Sequence, residues 1–418
     1  MSAAPAAPGG RAAVGFIFAA VLLDMVAMGI VIPILPGLIR QLIHGDPAQA
    51  ARWVGWFGAL WALMQFIFQP ILGSLSDRYG RRPVMLLSMF GLAADYVLMA
   101  WAPSVAWLLV GRMISGITAS TFAVASAYIA DITPPEERAA RFGMVSAAFG
   151  IGFIGGPVIG GLLGQIDPRL PFWGAAGLCF VNGLYGLFVV PESLKPEHRA
   201  PFKLHAANPV GSFRLYQSKP GLLALAVVMF LYFLAHQVLQ STWVPYAAYR
   251  YGWSNAMMGV SLMVVGIGSV VVQGFVVKPV VARLGGRGAL IAGLFFGAIG
   301  FLCYGLAPTG GLLLASIPIF SLMGLVGPGV QALMSRVIAP NEQGRLQGAN
   351  GSVMAFANMT GPVLFTEIFA RTIRDWSHFA PVGLPFYVAA ALMTLSLALA
   401  VSDRKAEQAA PAAGATGS

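Results

Sequence analysis

The sequence predicts an all-α, polytopic membrane protein in which twelve transmembrane helices form two six-helix bundles. Hydrophobic residues make up 58% of the 418 residues and charged residues 10%, whereas a soluble domain carries about 25% charged residues. Apolar runs of about 20 residues, the length at which a helix crosses the hydrocarbon core, recur along the whole chain. The longest polar stretch, residues 192–219, divides these runs six and six.

Each predicted span corresponds to one apolar run. The limits, in chain order, are 14–39, 52–75, 83–102, 104–129, 140–164, 171–191, 220–247, 256–281, 288–307, 310–337, 344–370 and 382–402. Residues 14–191 then form an N-terminal bundle and residues 220–402 a C-terminal bundle, joined by a proline-rich linker at 192–219. Residues 1–13 and 403–418, rich in Ala, Gly, Pro and Ser, are predicted to be disordered tails.

The basic residues set the predicted orientation. An even number of spans places both termini on one side, and the loops on that side hold most of the Lys and Arg, so that side is the cytoplasm. A bacterial inner membrane is the natural location. The net charge of +10 could suggest a nucleic-acid binder, but these residues lie in short loops at span ends. That distribution orients a membrane protein and excludes a nucleic-acid groove.

Several chemical classes are excluded by what the sequence lacks. Cys179 and Cys303 lie inside apolar segments, so neither a disulfide framework nor a metal site is expected. We find no nucleotide-binding loop, metal cluster or His-rich catalytic box. The sequence therefore predicts neither an enzyme nor a protein that requires a cofactor.

A charged turn between the second and third spans is the most informative motif. It reads Gly73-Ser-Leu-Ser-Asp77-Arg78-Tyr79-Gly80-Arg81-Arg82-Pro83. A positive-inside turn explains Arg81 and Arg82 but not Asp77. A carboxylate at a helix end needs a partner, either an arginine or the N-terminal dipole of a helix. We therefore interpret the segment as a cytoplasmic latch that stabilises one conformation, with Gly73, Asp77, Arg78, Gly80, Arg81 and Arg82 as gating residues.

The fifth span carries a dense run of glycines. It reads Gly150-Ile-Gly152-Phe-Ile-Gly155-Gly156-Pro157-Val-Ile-Gly160-Gly161-Leu-Leu-Gly164. Glycines spaced by four along one face let another backbone approach closely, and Pro157 removes a backbone hydrogen bond and permits a kink. Ordinary small-residue packing is the alternative interpretation. The density of the run favours a gating helix with Gly152, Gly156, Pro157 and Gly160 as its key positions.

Charged residues at bilayer depth are few and are usually functional. Asp24 lies near the middle of the first span, and burial disfavours a charged carboxylate, so Asp24 is a candidate for proton uptake and release. Asp95 lies roughly 9 Å from the outer end of the third span at the helical rise of about 1.5 Å per residue. Arg112 lies at similar depth in the next span, so the two could pair. We predict that Asp24, Asp95 and Arg112 couple transport to protons, with a structural salt bridge as the alternative for the pair.

Neutral polar residues in the spans are candidates for a substrate cavity, although each alone is more often an interhelical hydrogen bond. They are Gln65 and Gln69 in the second span, His236, Gln237 and Gln240 in the seventh, Gln331 in the tenth and Asn358 in the eleventh.

Together these motifs resemble the major facilitator superfamily, specifically its twelve-helix drug–proton antiporters. The segment Gly73–Pro83 looks like the signature turn between helices two and three. Arg112, within Gly111-Arg-Met-Ile-Ser-Gly116, looks like the fourth-helix arginine motif linked to proton coupling. The run from Gly152 to Gly161 looks like the fifth-helix antiporter motif. The resemblance covers essentially the whole chain.

Within that group the sequence resembles the tetracycline–cation:proton antiporters. The segments that carry this likeness are Leu22-Leu-Asp24-Met-Val-Ala-Met-Gly29, Ile32-Pro-Ile-Leu-Pro36, Ala62-Leu-Met-Gln65, Asp95-Tyr96 and Gly361-Pro-Val-Leu-Phe-Thr366. The resemblance implies that Asp24, Asp95 and Gln65 match functional residues of helices one, three and two. Those exporters also carry a histidine in helix eight and an aspartate in helix nine. Here residues 257–277 and 288–307 contain no Asp, Glu, His, Lys or Arg.

The sequence therefore predicts a proton-driven exporter of drugs or other small amphipathic molecules that works by alternating access, with tetracycline-like compounds among the possible substrates. Its expected partners are a small-molecule substrate, protons and membrane lipid, and the expected state is a monomer. An importer or uniporter of the same fold, or an exporter of an endogenous metabolite, remains the alternative, although an importer would not need the fifth-span motif. A receptor or scaffold without a transport cycle is disfavoured because no sizeable soluble domain is present to signal through.

Overall fold

The computed structural model describes residues 10–133, 138–194, 197, 199, 214–217, 221–338, 343–378 and 381–402. These residues form helices joined by short turns, with no strand in this part of the chain, so the predicted all-α membrane class is confirmed. The first helix already begins at Gly10, earlier than predicted. The rest of the N-terminal tail, residues 403–418 and most of the 192–219 linker lie outside the described residues.

The described residues contain sixteen α-helices. They are α1 Gly10–Val31, α2 Leu35–Ile43, α3 Pro47–Tyr79, α4 Arg81–Trp101, α5 Val105–Thr118, α6 Thr121–Ile132, α7 Arg138–Ile166, α8 Leu170–Val189, α9 Arg214–Gln217, α10 Leu222–Tyr251, α11 Asn255–Val271, α12 Val277–Leu306, α13 Gly310–Ser321, α14 Val326–Val337, α15 Gln343–Arg374 and α16 Leu384–Ser402. A π-helical turn, Val272–Val276, joins α11 to α12, and a 3₁₀ turn, Leu322–Leu325, joins α13 to α14.

Within the described ranges, nine helical segments are long and apolar enough to cross a membrane, and the bent pair α1 and α2 would make ten. One of the nine, Asn255–Leu306, has 52 residues, far more than the about 20 that one crossing needs. Gly285 interrupts it with φ 69°, a backbone angle that glycine adopts without strain. The count of twelve spans and the cytoplasmic side of both termini stay predictions.

The predicted fourth span, 104–129, is broken into α5 and α6. Ala119 and Ser120 lie at the break, and the Ser120 hydroxyl lies 2.6 Å from that of Ser88 in α4. Thr118, on the near side of the break, donates its hydroxyl to the Ile114 carbonyl. Hydroxyl side chains compete with the helical ladder in this way, which accounts for a break inside an otherwise apolar run.

The chain divides into two compact units. The first comprises the described residues within 1–45, 60–207 and 253–266, and the second those within 46–59, 208–252 and 267–418. Helices α3 and α11 each contribute residues to both units. The predicted division into bundles 14–191 and 220–402 stays a prediction.

A core of large apolar side chains fills the first unit. Phe16 of α1, Met89 of α4 and Tyr128 of α6 are buried in one cluster with Val145 of α7. The Tyr128 hydroxyl donates to the Pro191 carbonyl at 2.8 Å. Helix α1 packs against α6, α7 and α8, so its middle residues are enclosed on several sides by protein.

Aromatic rings form the core of the second unit. The Trp243 and Tyr304 rings lie 5.1 Å apart, the Tyr304 and Phe320 rings 5.1 Å apart, and the Tyr246 and Phe386 rings 4.7 Å apart. Tilted and edge-on contacts of this kind are favourable beyond the area that they bury. They join α10, α12, α13 and α16.

Glycines bring α7 into backbone contact with α1. A methyl group added at Gly152 would lie 2.6 Å from Met25 Cβ, and one added at Gly156 would lie 2.6 Å from the Val26 carbonyl oxygen. At Gly160 an added methyl would collide with the Ile30 carbonyl. The close approach predicted for these glycines is therefore present, with α1 as the partner. Pro157 lies inside α7, which is a single continuous helix over Arg138–Ile166.

We expect Gly156→Ala to loosen the α1–α7 contact. Its methyl group would sit 2.7 Å from Gly29 Cα as well as against the Val26 carbonyl, and overpacking of this kind costs about 1–3 kcal/mol. Gly155→Ala is the matched control, because a methyl group there meets no atom within 4 Å. Thermal unfolding of the purified protein in detergent should show a lower midpoint for the first variant only. Equal midpoints for the two variants would contradict the packing described.

Candidate functional site

Asp24 lies within α1 and is only 4% exposed. Asn182 of α8 donates its side-chain Nδ2 to Asp24 Oδ1 at 3.4 Å and to the Ala20 carbonyl at 3.0 Å. Thr121, at the start of α6, is also buried and interacts with the same carboxylate. Among the described residues no basic side chain forms a salt bridge with Asp24. Neutral groups surround this carboxylate, as expected for one that changes protonation state.

Asp95 of α4 is fully buried. Neither of its carboxylate oxygens has a hydrogen-bond partner within the described residues, and Gly111 of α5 leaves the space that Oδ1 occupies. Arg112, the next residue of α5, interacts electrostatically with Asp95. The two form no direct ion pair in the described structure, so the suggested pairing occurs only at longer range.

An aromatic ring supports the Arg112 guanidinium. Its central carbon lies 5.5 Å from the centre of the Trp61 ring, a cation–π distance that stabilises a desolvated cation. The Arg112 Nε atom is buried and has no hydrogen-bond partner within the described residues. A buried cation and a buried carboxylate therefore lie on adjacent helices, each with unused hydrogen-bonding capacity.

Tyr96 and Cys179 connect the two carboxylates. Each interacts electrostatically with both Asp24 and Asp95, and each is at most 4% exposed. The three residues predicted to couple transport to protons are thus brought into one buried region of the first unit. We call Asp24, Asp95 and Arg112 the buried charge cluster.

The turn between α3 and α4 is shorter than predicted. Helix α3 continues to Tyr79 and α4 begins at Arg81, so the turn consists of Gly80 alone. Gly73 and Asp77 are helical, and α3 extends four residues beyond the predicted limit of the second span at residue 75. Gly80 has φ 110°, which favours glycine, and an added methyl group would also collide with the Glu192 carboxylate.

Arg81 is the centre of a second charged group. Its guanidinium forms an ion pair with Asp77 and another with Asp131 of α6 at 3.0 Å, and it donates to the Ser76 hydroxyl at 2.8 Å. The Asp77 partner is thus a neighbouring arginine, as one of the two predicted options required. We call Arg81, Asp77 and Asp131, with Glu192, the turn cluster.

Glu192 caps the start of α4. Its carboxylate accepts from the backbone N–H groups of Arg81 at 2.8 Å and Arg82 at 3.2 Å. These are N–H groups that a helix leaves unpaired at its first turn, and a carboxylate there also complements the helix dipole. The cap ties the segment after α8 to the turn between α3 and α4.

The other two arginines of the turn act differently. Arg78 is exposed and lies over the Tyr79 ring at 5.1 Å. Arg82 donates to the Leu187 carbonyl. Within the described residues only Arg81 of the three pairs with a carboxylate.

Sequence reasoning missed Asp131, Glu192 and Asn182. Asp131 is the single acidic residue of α6 and lies in its last turn. Glu192 follows Pro191 directly after the sixth apolar run, and Asn182 is the single amide in an apolar helix. The signal in the sequence was a single polar residue at the end of an apolar run or inside one. The groups that these residues contact are known only from the folded structure.

The predicted substrate residues do not form one group. Gln65 and Gln69 belong to the first unit, and Gln69 is exposed. In the second unit Gln237 donates to Asn358, while Gln331 accepts from Asn350 at 3.3 Å.

The remaining predicted residues of that set lie on α10. The His236 ring lies 6.2 Å from that of Tyr232, and Gln240 is exposed. Among the described residues, the hydrogen bond between Gln237 and Asn358 is therefore the one hydrogen bond that joins two of the seven.

A separate apolar groove of about 860 Å³ lies in the first unit. Residues of α4, α5 and α8 line it, including Trp101, Trp107, Trp173, Phe90 and Phe180. None of the residues predicted to bind substrate lines this groove.

A further set of ion pairs lies in the second unit, where the start of α3 meets α15. Arg52 pairs with Glu367 at 2.8 Å, and Arg371 pairs with the same carboxylate at 2.7 Å. A methyl group added at Gly58 would lie 3.1 Å from Pro362 Cβ. Sequence reasoning did not single out this contact because its partners are about 300 residues apart.

Comparison with known proteins agrees with the motifs. The model of the Major Facilitator Superfamily matches residues 17–362. The class C tetracycline resistance protein of Escherichia coli is 43% identical over 91% of this chain and 94% of its own. The class G protein of Vibrio anguillarum is 37% identical over 85% of this chain and 90% of its own. The resemblance inferred from the sequence is confirmed.

Solved transporter structures share the fold. The human organic anion transporter MFSD10 (TETRAN) superposes with a TM-score of 0.70 at 24% identity, covering 94% of this chain and 100% of that one. A D-xylose-proton symporter superposes with a TM-score of 0.74 at 17% identity, covering 93% and 96%.

We expect Arg81→Ala to destabilise the protein and Arg78→Ala to leave it nearly unchanged. The first change leaves Asp77 and Asp131 without their shared cation, and since Arg81 is only 12% exposed, the loss should be about 2 kcal/mol. Arg78 has the same charge and lies three residues away, but its side chain is exposed. Thermal unfolding in detergent measures the difference. Similar midpoints for the two variants would show that the turn cluster contributes little.

Proposed function

This chain belongs to the Major Facilitator Superfamily, and we propose that it is a proton-coupled antiporter that exports small amphipathic drugs, tetracyclines among them. The export takes place across a bacterial inner membrane and uses alternating access, in which the substrate site opens to one face at a time. The proton gradient supplies the free energy, and no cofactor enters the cycle. The protein acts as a monomer in lipid.

The observation that carries this proposal is the buried charge cluster. Two carboxylates, Asp24 and Asp95, lie in the interior of a helical membrane protein without direct cationic partners in the described structure. A fixed structural role would favour a close ion pair, because an unpaired charge in a low-dielectric interior is costly. Protonation removes that cost, so such a carboxylate is suited to bind a proton from one side and release it to the other.

The driving force is sufficient for export. Moving one charge through a potential of 100 mV contributes about 2.3 kcal/mol, and each pH unit across the membrane contributes about 1.4 kcal/mol. For a neutral substrate, one proton therefore supports a gradient of tenfold or more under either condition. A monovalent cation exchanged one for one with a proton moves no net charge, so the pH gradient alone drives its export.

The relatives support the substrate class. Proteins that share 43% and 37% of their aligned residues with this chain are named for tetracycline resistance. Residues 257–277 and 288–307 contain no Asp, Glu, His, Lys or Arg, so these two spans supply no charged group for the substrate. We assign substrate binding to neutral side chains elsewhere, which are Gln65, Gln69, His236, Gln237, Gln240, Gln331 and Asn358.

The turn cluster supplies the proposed conformational latch. Arg81 holds α3 and α6 through Asp77 and Asp131, and Glu192 holds the start of α4. Rearrangement of these helices would require its ion pairs and cap to break, so the cluster stabilises one state of the cycle. The glycines of α7, together with Pro157, form a second contact, between α7 and α1. This contact also has to change when the helices rearrange.

We expect Asp24→Asn and Asp95→Asn each to abolish drug-driven proton movement. Either change keeps the shape of the side chain and removes its proton exchange. The measurement uses purified protein in liposomes that contain a pH-sensitive dye, with tetracycline added on one side. Asp167→Asn is the matched control, since Asp167 is exposed beyond the end of α7, and this variant should behave like the wild type.

Two outcomes would overturn parts of the proposal. Proton movement that persists at wild-type rate in both Asp24→Asn and Asp95→Asn would remove these residues from the coupling mechanism. Wild-type protein that folds, moves neither tetracycline nor lipophilic cations and gives no resistance to a pump-deficient bacterium would exclude drug export and favour an endogenous metabolite.

A further inference from the structure

Asn182 is the single amide of α8 and the most enclosed polar neighbour of Asp24. The residue has no exposed surface, and the rest of α8 is apolar apart from Tyr185 and Cys179. Burying an amide costs free energy unless its hydrogen bonds are made. A leucine of nearly the same shape would pack better at this position. The presence of an amide therefore needs an explanation other than packing.

The Ala20 carbonyl determines how the Asn182 amide is oriented. A carbonyl only accepts, so the group 3.0 Å from it must be the amide nitrogen. That nitrogen carries two hydrogens, and the second points toward Asp24 Oδ1 at 3.4 Å. Asn182 is thus held so that it donates to Asp24, which favours the ionised carboxylate over the neutral acid.

Thr121 complements this fixed donor. Its buried hydroxyl interacts with Asp24 and has no hydrogen-bond partner among the residues described. A hydroxyl both donates and accepts, so it can donate to the carboxylate and accept from the protonated acid. Asp24 therefore has one neighbour that favours the charged state and one that serves both states.

We propose that Asn182 is a positioning residue that sets the proton affinity of Asp24 and so fixes the pH at which the exporter releases its proton. The inference rests on the proposed proton coupling and extends it to a residue of α8. Asn182 touches neither substrate nor bulk water and acts through Asp24. Loss of its N–H donor would make Asp24 hold its proton to a higher pH.

Other titratable groups face Asp24 from the helices packed around it. Tyr96 of α4 and Cys179 of α8 interact with it electrostatically, and Asp95 and Arg112 complete the buried charge cluster. Helix α7 meets this part of α1 through glycines. Of these groups and Thr121, Asn182 is the one that makes a geometrically defined hydrogen bond with Asp24 in the described structure.

The test compares the pH profile of tetracycline–proton exchange in liposomes for wild type, Asn182→Leu and Asn182→Ser. The leucine is nearly isosteric and cannot donate, whereas the serine keeps a short donor. On the acid limb of the profile, exchange is slow because Asp24 keeps its proton. We expect this limb to move to higher pH by about one unit in Asn182→Leu, so that the exchange rate at a fixed pH on the limb falls about tenfold. Asn182→Ser should recover part of the shift. In an Asp24→Asn background, which no longer exchanges protons, Asn182→Leu should leave the pH dependence of tetracycline binding unchanged.

Ser396→Ala is the matched control, because it removes a buried hydrogen bond between two helices without affecting Asp24. The buried Ser396 hydroxyl donates to the Val228 carbonyl of another helix at 3.1 Å, and no carboxylate lies in that bond. This variant should keep the wild-type profile. If Asn182→Leu lowers the rate equally at every pH, the positioning role is refuted and Asn182 only packs.

A second measurement keeps the test decisive if Asn182→Leu folds poorly. This measurement is the pH dependence of tetracycline binding to the detergent-purified Asn182→Ser variant. Its profile should shift to higher pH, as expected for Asn182→Leu, but by a smaller amount. An unshifted profile would refute the role of Asn182. The proposed function fails separately, when Asp24→Asn retains proton-coupled exchange. A normal Asp24→Asn defect with an unshifted Asn182→Leu profile overturns only the role of Asn182.

Discussion

The enclosure of charge inside a helical membrane protein is the constraint on which the rest of this structure depends. Asp24 and Asp95 are enclosed by protein on all sides, as carboxylates in the apolar interior of a membrane protein need to be. That enclosure requires α1 to approach α7 to backbone contact, which glycines at 152, 156 and 160 permit. Within that enclosure α8 presents an amide toward α1. Close helix packing and the burial of these carboxylates are therefore parts of the same arrangement.

The carboxylates of the turn cluster and those of the buried charge cluster have opposite surroundings in the first unit. In the turn cluster every carboxylate meets a donor at hydrogen-bond distance, with Arg81 and the first N–H groups of α4 as the donors. In the buried charge cluster the carboxylates lack direct cationic partners in the described residues. Asp95 makes no hydrogen bond of ordinary geometry there, and its polar neighbour is the Ser115 side chain of α5. The ion pairs and the cap of the turn cluster hold helices in place, whereas the carboxylates of the buried charge cluster are the groups to which we assign the proposed proton coupling.

Some features of the structure could be predicted from the sequence, and others could not. The membrane class, the helical character of nearly every span and the spacing of the α7 glycines were predictable, because each depends on residues close together in the chain. The break at Ala119–Ser120 and the continuation of α3 to Tyr79 were not, because the Ser120 hydroxyl meets Ser88 of another helix and Glu192, from a distant segment, caps the turn at Gly80. The scatter of the polar substrate candidates was also unpredictable, since hydropathy does not report which face of a helix meets which neighbour.

The sequence by itself determined that this chain belongs in a membrane. It also singled out Asp24, Asp95 and Arg112 as predicted intramembrane charges and indicated that Asp77 needs a partner. Hydrophobic runs and isolated ionisable residues carry that information without reference to distant segments. Only the tertiary structure decided that Asp131 and Glu192 join Asp77 and Arg81, that Asp95 and Arg112 are neighbours without a direct bond, and that Asn182 donates to Asp24. These partners are separated by between 17 and about 160 positions in the chain, and a hydrogen bond depends on the distance and direction between atoms that only packed helices define.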